Sequence, residues 1–241
     1  MEKLSNELIR RNRDVEENLK IIKERIDKAA YSAGRDSKEI VLLAATKTVP
    51  VEVINHSIFL GIDTIGENKV QELLSKYNGL NKKDCSTHLI GHLQTNKVKK
   101  VVGKVDMIQS VDSERLALEI ARVSKKQDVK TDILIEVNIG KEKNKSGALP
   151  ENLEELFYII SQIDGIRVRG LMAIPPICQK KSETRKYFSH MYKLFIDIRD
   201  KKLDNINMDV LSMGMSADYE EAILEGATMI RVGSALFGKR D

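Results

Sequence analysis

About eight short runs rich in Val, Ile, Leu and Met recur along the chain, each followed by a longer polar or amphipathic stretch. They occupy residues 39–46, 63–66, 87–93, 105–111, 131–138, 167–174, 209–214 and 228–233. The stretches between several of them have helical character. Asp112 or Ser113 is placed to cap "ERLALEIARVSKK", and Pro150 stands where a helix tolerates a missing N–H, before "ENLEELFYIISQI". "SETRKYFSHMYKLFIDIRDKK" is expected to be the longest helix, and "SADYEEAILEG" to run from a serine cap to a terminating glycine. Strands alternating with helices make parallel β/α units. About eight such units in 241 residues predict an α/β fold, a single (β/α)8 TIM barrel, over one domain spanning 1–241. An open doubly wound sheet is the rival, but no glycine-rich GxGxxG turn follows the first run.

An additional N-terminal helix is expected within 1–34. Val15, Leu19, Ile22, Ile26, Ala29 and Ala33 form one apolar stripe, and Gly34 stops it. With about eight residues after the last run, this helix is expected to cover the barrel there. The N-terminus is charged throughout, and no apolar run approaches the ~18 residues of a membrane span. Cys85 and Cys178 fall in no CxxC pattern, so a reduced, cytoplasmic chain is expected. The net charge of +4 is spread over basic runs interspersed with acids and lacking interleaved aromatics, which argues against a nucleic-acid groove.

In such a barrel, chemistry gathers at the carboxyl ends of the strands. The first run, "VLLAATKTVP", ends in Lys47; the second leads into Glu67 and Asn68. The third carries His88 and ends near His92 and Gln94, the fifth ends in Asn138, and the sixth in Met172 and Pro175–Pro176. The seventh ends in "SMGMS", with Ser212, Gly214 and Ser216, and the eighth in Gly233 and Ser234. Small polar residues and glycines opening a helix suit an anion, and Ser212 and Ser216 add hydroxyls. Alternation with Ile230 and Val232 turns Arg231 inward, where it is either a ligand contact or an ion pair with Glu136 or Asp209.

An amine beside a phosphate cup suggests pyridoxal 5′-phosphate held as a Schiff base on Lys47, with Arg231 facing the pyridine nitrogen. A lone lysine at a strand end is more often solvated, and the methionines of "SMGM" are ordinarily core filler. Cys85 and His88 have no matching second half for zinc, so no metal is expected.

The blocks "AATKTVP", "GENKVQE", "HLIGHLQTNK", "KSG", "GLMAIPP", "LSMGMSADYEEAI" and "RVGSALFG" together resemble the pyridoxal phosphate homeostasis protein family, the YggS/PROSC type. They run from the first strand to the C-terminus. The resemblance implies the fold of the alanine racemase barrel domain (fold type III) and a covalent aldimine between pyridoxal phosphate and Lys47. It also implies that Asn68 lies beside the cofactor, that Ser212, Ser216, Gly233 and Ser234 form its phosphate pocket, and that Arg231 partners the pyridine nitrogen.

Racemization needs acid–base groups on both faces of the bound substrate. Racemases similar to this barrel take their second base, a tyrosine, from a further domain. The present chain is expected to lack one, since it stops at Asp241, and of its tyrosines only Tyr219 is placed near the mouth. The expectation is therefore a largely monomeric, non-catalytic protein that buffers or delivers pyridoxal phosphate in the cell, with no catalytic residues and with apo-enzymes as potential partners. The alternative is a pyridoxal phosphate-dependent racemase or decarboxylase of a small amino acid; a third reading is non-covalent binding of another phosphorylated metabolite.

Overall fold

The computed structural model describes residues 2–238, with side chains for 6–83 and 85–238. Eight strands, β1 (Val41–Ala45), β2 (Thr64–Glu67), β3 (Ser86–Leu89), β4 (Met107–Val111), β5 (Thr131–Val137), β6 (Ile166–Ala173), β7 (Ile206–Met215) and β8 (Met229–Val232), close into one barrel in sequence order. All pairings are parallel, and β8 returns to β1 through Val41↔Met229 to Ala44↔Val232. The chain is a (β/α)8 barrel.

Strand alternation sorts the side chains into two cores. Ala44, Ile65, Ile133, Ile135, Ile230 and Val232 join the large cluster packed under the helices. Leu43, Ile90 and Met229 form one inner cluster, and Met107, Leu134 and Met172 another. A strand buried on both faces needs apolar residues at successive positions, which is why these runs read as continuous rather than alternating.

The helices are α1 (Glu2–Ser32), α2 (Val51–Phe59), α3 (Val70–Lys76), α4 (Glu114–Lys126), α5 (Leu153–Ser161), α6 (Lys181–Asp200), α7 (Tyr219–Leu224) and α8 (Ser234–Phe237). A 3-10 helix, Thr95–Lys100, fills the crossover after β3. The α1 helix packs on α2, α7 and α8, using Val15, Leu19, Ile22, Ile26, Ala29 and Ala30. Asn18 Nδ2 donates to Leu236 O at 3.0 Å, tying α1 to the end of the barrel.

Several boundaries differ from expectation. The longest helix is α1, not α6, and Ala33 lies beyond its end, where Gly34 takes φ +68°. The third strand stops at Leu89. A Cβ on Gly91 would lie 2.2 Å from Asn68 O, so this glycine is where the ends of β2 and β3 press together. Ser113 occupies the N-cap position of α4, but its hydroxyl donates to Asp112 rather than capping the helix. The α7 helix begins after Asp218, not at a serine.

Candidate functional site

Lys47 sits two residues past β1 in a tight turn closed by Val49 N donating to Thr46 O at 3.0 Å. Thr48, next in the chain, takes φ +65°, a conformation that a β-branched residue rarely adopts. The flanking peptides are anchored from below. Lys76 Nζ donates to Thr46 O at 2.8 Å, to Glu67 Oε1 at 2.7 Å and to Glu72 Oε1 at 2.7 Å. Thr46 Oγ1 donates to Glu67 Oε1 at 2.6 Å, and Thr48 N donates to Glu72 Oε1. Glu67 is fully buried, and burial pushes its carboxyl above the ordinary range. The hydrogen bonds from Lys76 and Thr48 hold the carboxyl of Glu72 below it, against the effect of its own partial burial.

Arg231 stands inside the barrel on β8. Its Nη1 donates to Ser212 Oγ at 2.7 Å and its Nη2 to Ala173 O at 2.9 Å. The expected alternative, an ion pair with Glu136 or Asp209, does not form among the described residues. Asp209 pairs with Arg169 at 2.8 Å, and Glu136 Oε1 accepts from Ser146 Oγ at 3.0 Å. Burial lowers the Arg231 pKa to about 10, eased by the charges of Glu136 and Asp218, so the guanidinium stays cationic at neutral pH. A buried cation held only by neutral oxygens is a costly arrangement.

Ser212 lies inside the barrel beside Arg231. It is fully buried; its hydroxyl donates to Gln109 Oε1 at 2.7 Å while accepting from Arg231. Gln109 Nε2 in turn donates to His88 Nδ1 at 2.8 Å, and His88 Nε2 meets Ser86 Oγ at 3.0 Å. A ring nitrogen that accepts must be unprotonated, and burial lowers the His88 pKa to about 4, so the ring is neutral. This chain of hydrogen bonds crosses the barrel from β3 to β8 and fixes which way each proton points.

The loops after β7 and β8 meet through Ser216. Its Oγ accepts from Gly233 N and Ala235 N, both at 3.1 Å, so two backbone N–H groups converge on one oxygen at the start of α8. Ser216 is expected above to cap α7, but it serves α8 instead. Gly214, at φ +88°, has a packing role: a Cβ there would lie 2.5 Å from Ala222 Cβ and 3.0 Å from Tyr219 Cα. Lys47, Gly233 and Ser234 line one cavity of about 320 Å³, to which α1 contributes Glu7, Arg10, Arg11 and Asp14.

Asn68 lies just past β2, and its Oδ1 is buried without a hydrogen-bond partner among the described residues. Asn138 is occupied with the loop after β5: its Nδ2 donates to Glu142 O at 2.9 Å and its Oδ1 accepts from Glu142 N. Tyr219, the first residue of α7, is buried in the core, 2% exposed. Met213 is core filler, but Met215 is substantially exposed at the end of β7. Among the described residues, no three His, Cys, Asp or Glu side chains gather as a metal site, and no helix is long and apolar enough to cross a membrane.

Lys76, Gln109, Arg10 and Arg11 do not stand out in the sequence. Lys76 follows Glu72 at i+4, a spacing at which a surface ion pair is the ordinary reading. Gln109 is a lone amide in an apolar strand, and that was the available signal: a polar side chain in a doubly buried strand needs partners.

Residues 15–241 match the family described as alanine racemase, N-terminal domain. A pyridoxal phosphate homeostasis protein of Aquifex aeolicus is 46% identical over 224 residues, covering 93% of this chain and 97% of its own. A protein from Bifidobacterium adolescentis of known crystal structure superposes with a TM-score of 0.89 at 36% identity, covering 94% of this chain and 96% of its own. PipY of Synechococcus elongatus, solved with PLP bound, superposes with a TM-score of 0.78 at 33% identity, covering 90% of this chain and 100% of its own. The chain therefore belongs to the alanine racemase N-terminal domain family and, within it, to the pyridoxal phosphate homeostasis proteins.

Proposed function

We propose that the chain binds pyridoxal 5′-phosphate covalently through Lys47 and serves as an intracellular buffer or carrier of that cofactor, without substantial catalysis of its own. The observation that carries this reading is that Lys47, Gly233 and Ser234 line one cavity of about 320 Å³, within the range of small-molecule sites. The residues present fit the group. The two N–H donors now converging on Ser216 Oγ suit a phosphate oxygen, Asn68 Oδ1 is a buried acceptor awaiting a donor, and Arg231 offers N–H groups to a ring nitrogen. PipY, a relative with the same fold, has been solved with PLP bound.

When bound, pyridoxal phosphate supplies an aldehyde that condenses with amines, and a ring able to draw electrons from them. Lys47 would hold the group by condensation of its amine with that aldehyde, a reaction that releases water. Arg231, cationic and held by neutral oxygens, would face the ring nitrogen and oppose its protonation, which would weaken the electron sink. The cavity beside Lys47 is lined by the carboxylates Glu7 and Asp14 as well as by Arg10 and Arg11, and by no tyrosine or histidine among the described residues.

Protein loaded with pyridoxal phosphate should lose it to an excess of a free amine or an apo-enzyme, and should not promote Cα deuterium exchange in a panel of amino acids. Lys47-dependent exchange at enzymatic rates would favour a racemase or decarboxylase instead.

A further inference from the structure

The "GENKVQE" block contains two glutamates that cofactor binding does not use, Glu67 and Glu72. Both converge on the ammonium of Lys76, only 8% exposed at the end of α3. What that ammonium holds is specific. Thr46 O belongs to the peptide before Lys47, and Thr48 N to the peptide after it. The first accepts from Lys76 at 2.8 Å, and the second donates to Glu72 Oε1, the oxygen that Lys76 also grips. Thr46 is locked a second time through its hydroxyl on Glu67, and its backbone N donates to Gly66 O at 2.9 Å.

We propose that Lys76 and Glu72 are positioning residues that clamp the two peptides flanking Lys47 and so aim its side chain for covalent attachment. A strand end is normally free to fray into the following loop. Here the turn carries Thr48 in the left-handed region, a strained conformation that persists only when its surroundings over-determine it. The acceptor that Glu72 provides for Thr48 N is such a determinant, and Lys76 fixes the orientation of that carboxylate. Without the clamp Thr48 relaxes, the direction of the Lys47 Cα–Cβ bond changes, and the amine leaves the geometry from which it attacks an aldehyde. A misplacement of about 1 Å costs up to ~100-fold in such reactions.

The inference rests on the reading of Lys47 as the cofactor lysine, and the test separates the two. Wild type, Lys76→Met, Glu72→Met and Glu72→Gln are each saturated with pyridoxal phosphate. Total bound cofactor is measured by ultrafiltration. The covalent fraction is trapped on Lys47 with borohydride over a time course and read by mass spectrometry. Both methionine variants should retain bound cofactor, since the other contacts remain, but trap on Lys47 roughly 10- to 100-fold more slowly. Glu72→Gln keeps an oxygen for Thr48 N and should fall nearer to wild type. A merely structural role would lower total binding and melting temperature together without changing the covalent rate of the bound fraction, and that result overturns the clamp. Wild-type trapping rates in both methionine variants overturn it as well, leaving Lys47 in its role. No adduct in the wild type removes both readings. If Lys76→Met does not fold, Glu72→Met carries the test, because Glu72 is partly exposed and its removal leaves no buried charge at its own position.

Discussion

Arg231 and Ser212, on neighbouring strands, share a hydrogen bond of 2.7 Å in which the serine oxygen is the acceptor, because its own proton is committed to Gln109. This relationship defines the inside of the barrel. The cation is held by an oxygen whose proton direction is set by an amide, and the amide is set by a neutral histidine. Ser212→Ala removes the central oxygen and leaves Gln109 Oε1 and Arg231 Nη1 buried without it. The expected loss is about 1–3 kcal/mol of stability, measured by denaturant unfolding, with weaker pyridoxal phosphate binding in the same variant.

The histidine gives the fold an acid limit. The His88 pKa falls from 6.5 in the unfolded chain to about 4 in the barrel because burial disfavours the imidazolium. Between those values the unfolded chain binds the extra proton, so stability is full above about pH 6.5 and declines as pH falls towards 4. The contribution is on the order of 3 kcal/mol. His88→Gln should flatten the stability profile across this window in urea unfolding at stepped pH; an unchanged slope would show that other groups set it.

Gly214 should not tolerate a side chain. At φ +88°, an alanine Cβ would meet Ala222 Cβ at 2.5 Å, and neither partner is a flexible side-chain end. Gly214→Ala should lower stability by about 2–3 kcal/mol in thermal unfolding and displace the Ser216 turn that holds Gly233.

The two thiols should differ. Burial, aided by the charges of Asp63 and Asp106, pushes the Cys85 thiol up to about 12, whereas Cys178 is partly exposed. A thiol reagent at neutral pH should label Cys178 in the native protein, and both cysteines only after unfolding. Native labelling of Cys85 would place it in a more open setting than the buried position just before β3 provides.

The eight-fold repeat was legible because a strand buried on both faces must be apolar throughout, and Lys47 stood out as a charge ending such a run. The short helices were harder to read. The α2 (Val51–Phe59) and α3 (Val70–Lys76) helices are only nine and seven residues long, too short for a periodic stripe to separate from background. Arg231 could be turned inward by alternation, but its partners could not be named, because Ser212, Gln109 and His88 lie far apart in sequence and meet only once the barrel closes. Ser212 and Ser216 read alike in "SMGMS", yet one faces Arg231 and the other the start of α8. That difference arises where the β7–β8 register shifts between Ser212 and Met215.

The most direct test of the account is covalent trapping at Lys47. Protein incubated with pyridoxal phosphate and reduced with borohydride should carry a single pyridoxyl phosphate adduct on Lys47, located by peptide mass spectrometry, and Lys47→Ala should lose both the adduct and the visible absorption of the loaded protein. An unmodified Lys47, or a Lys47→Ala variant with the same absorption band, would contradict it.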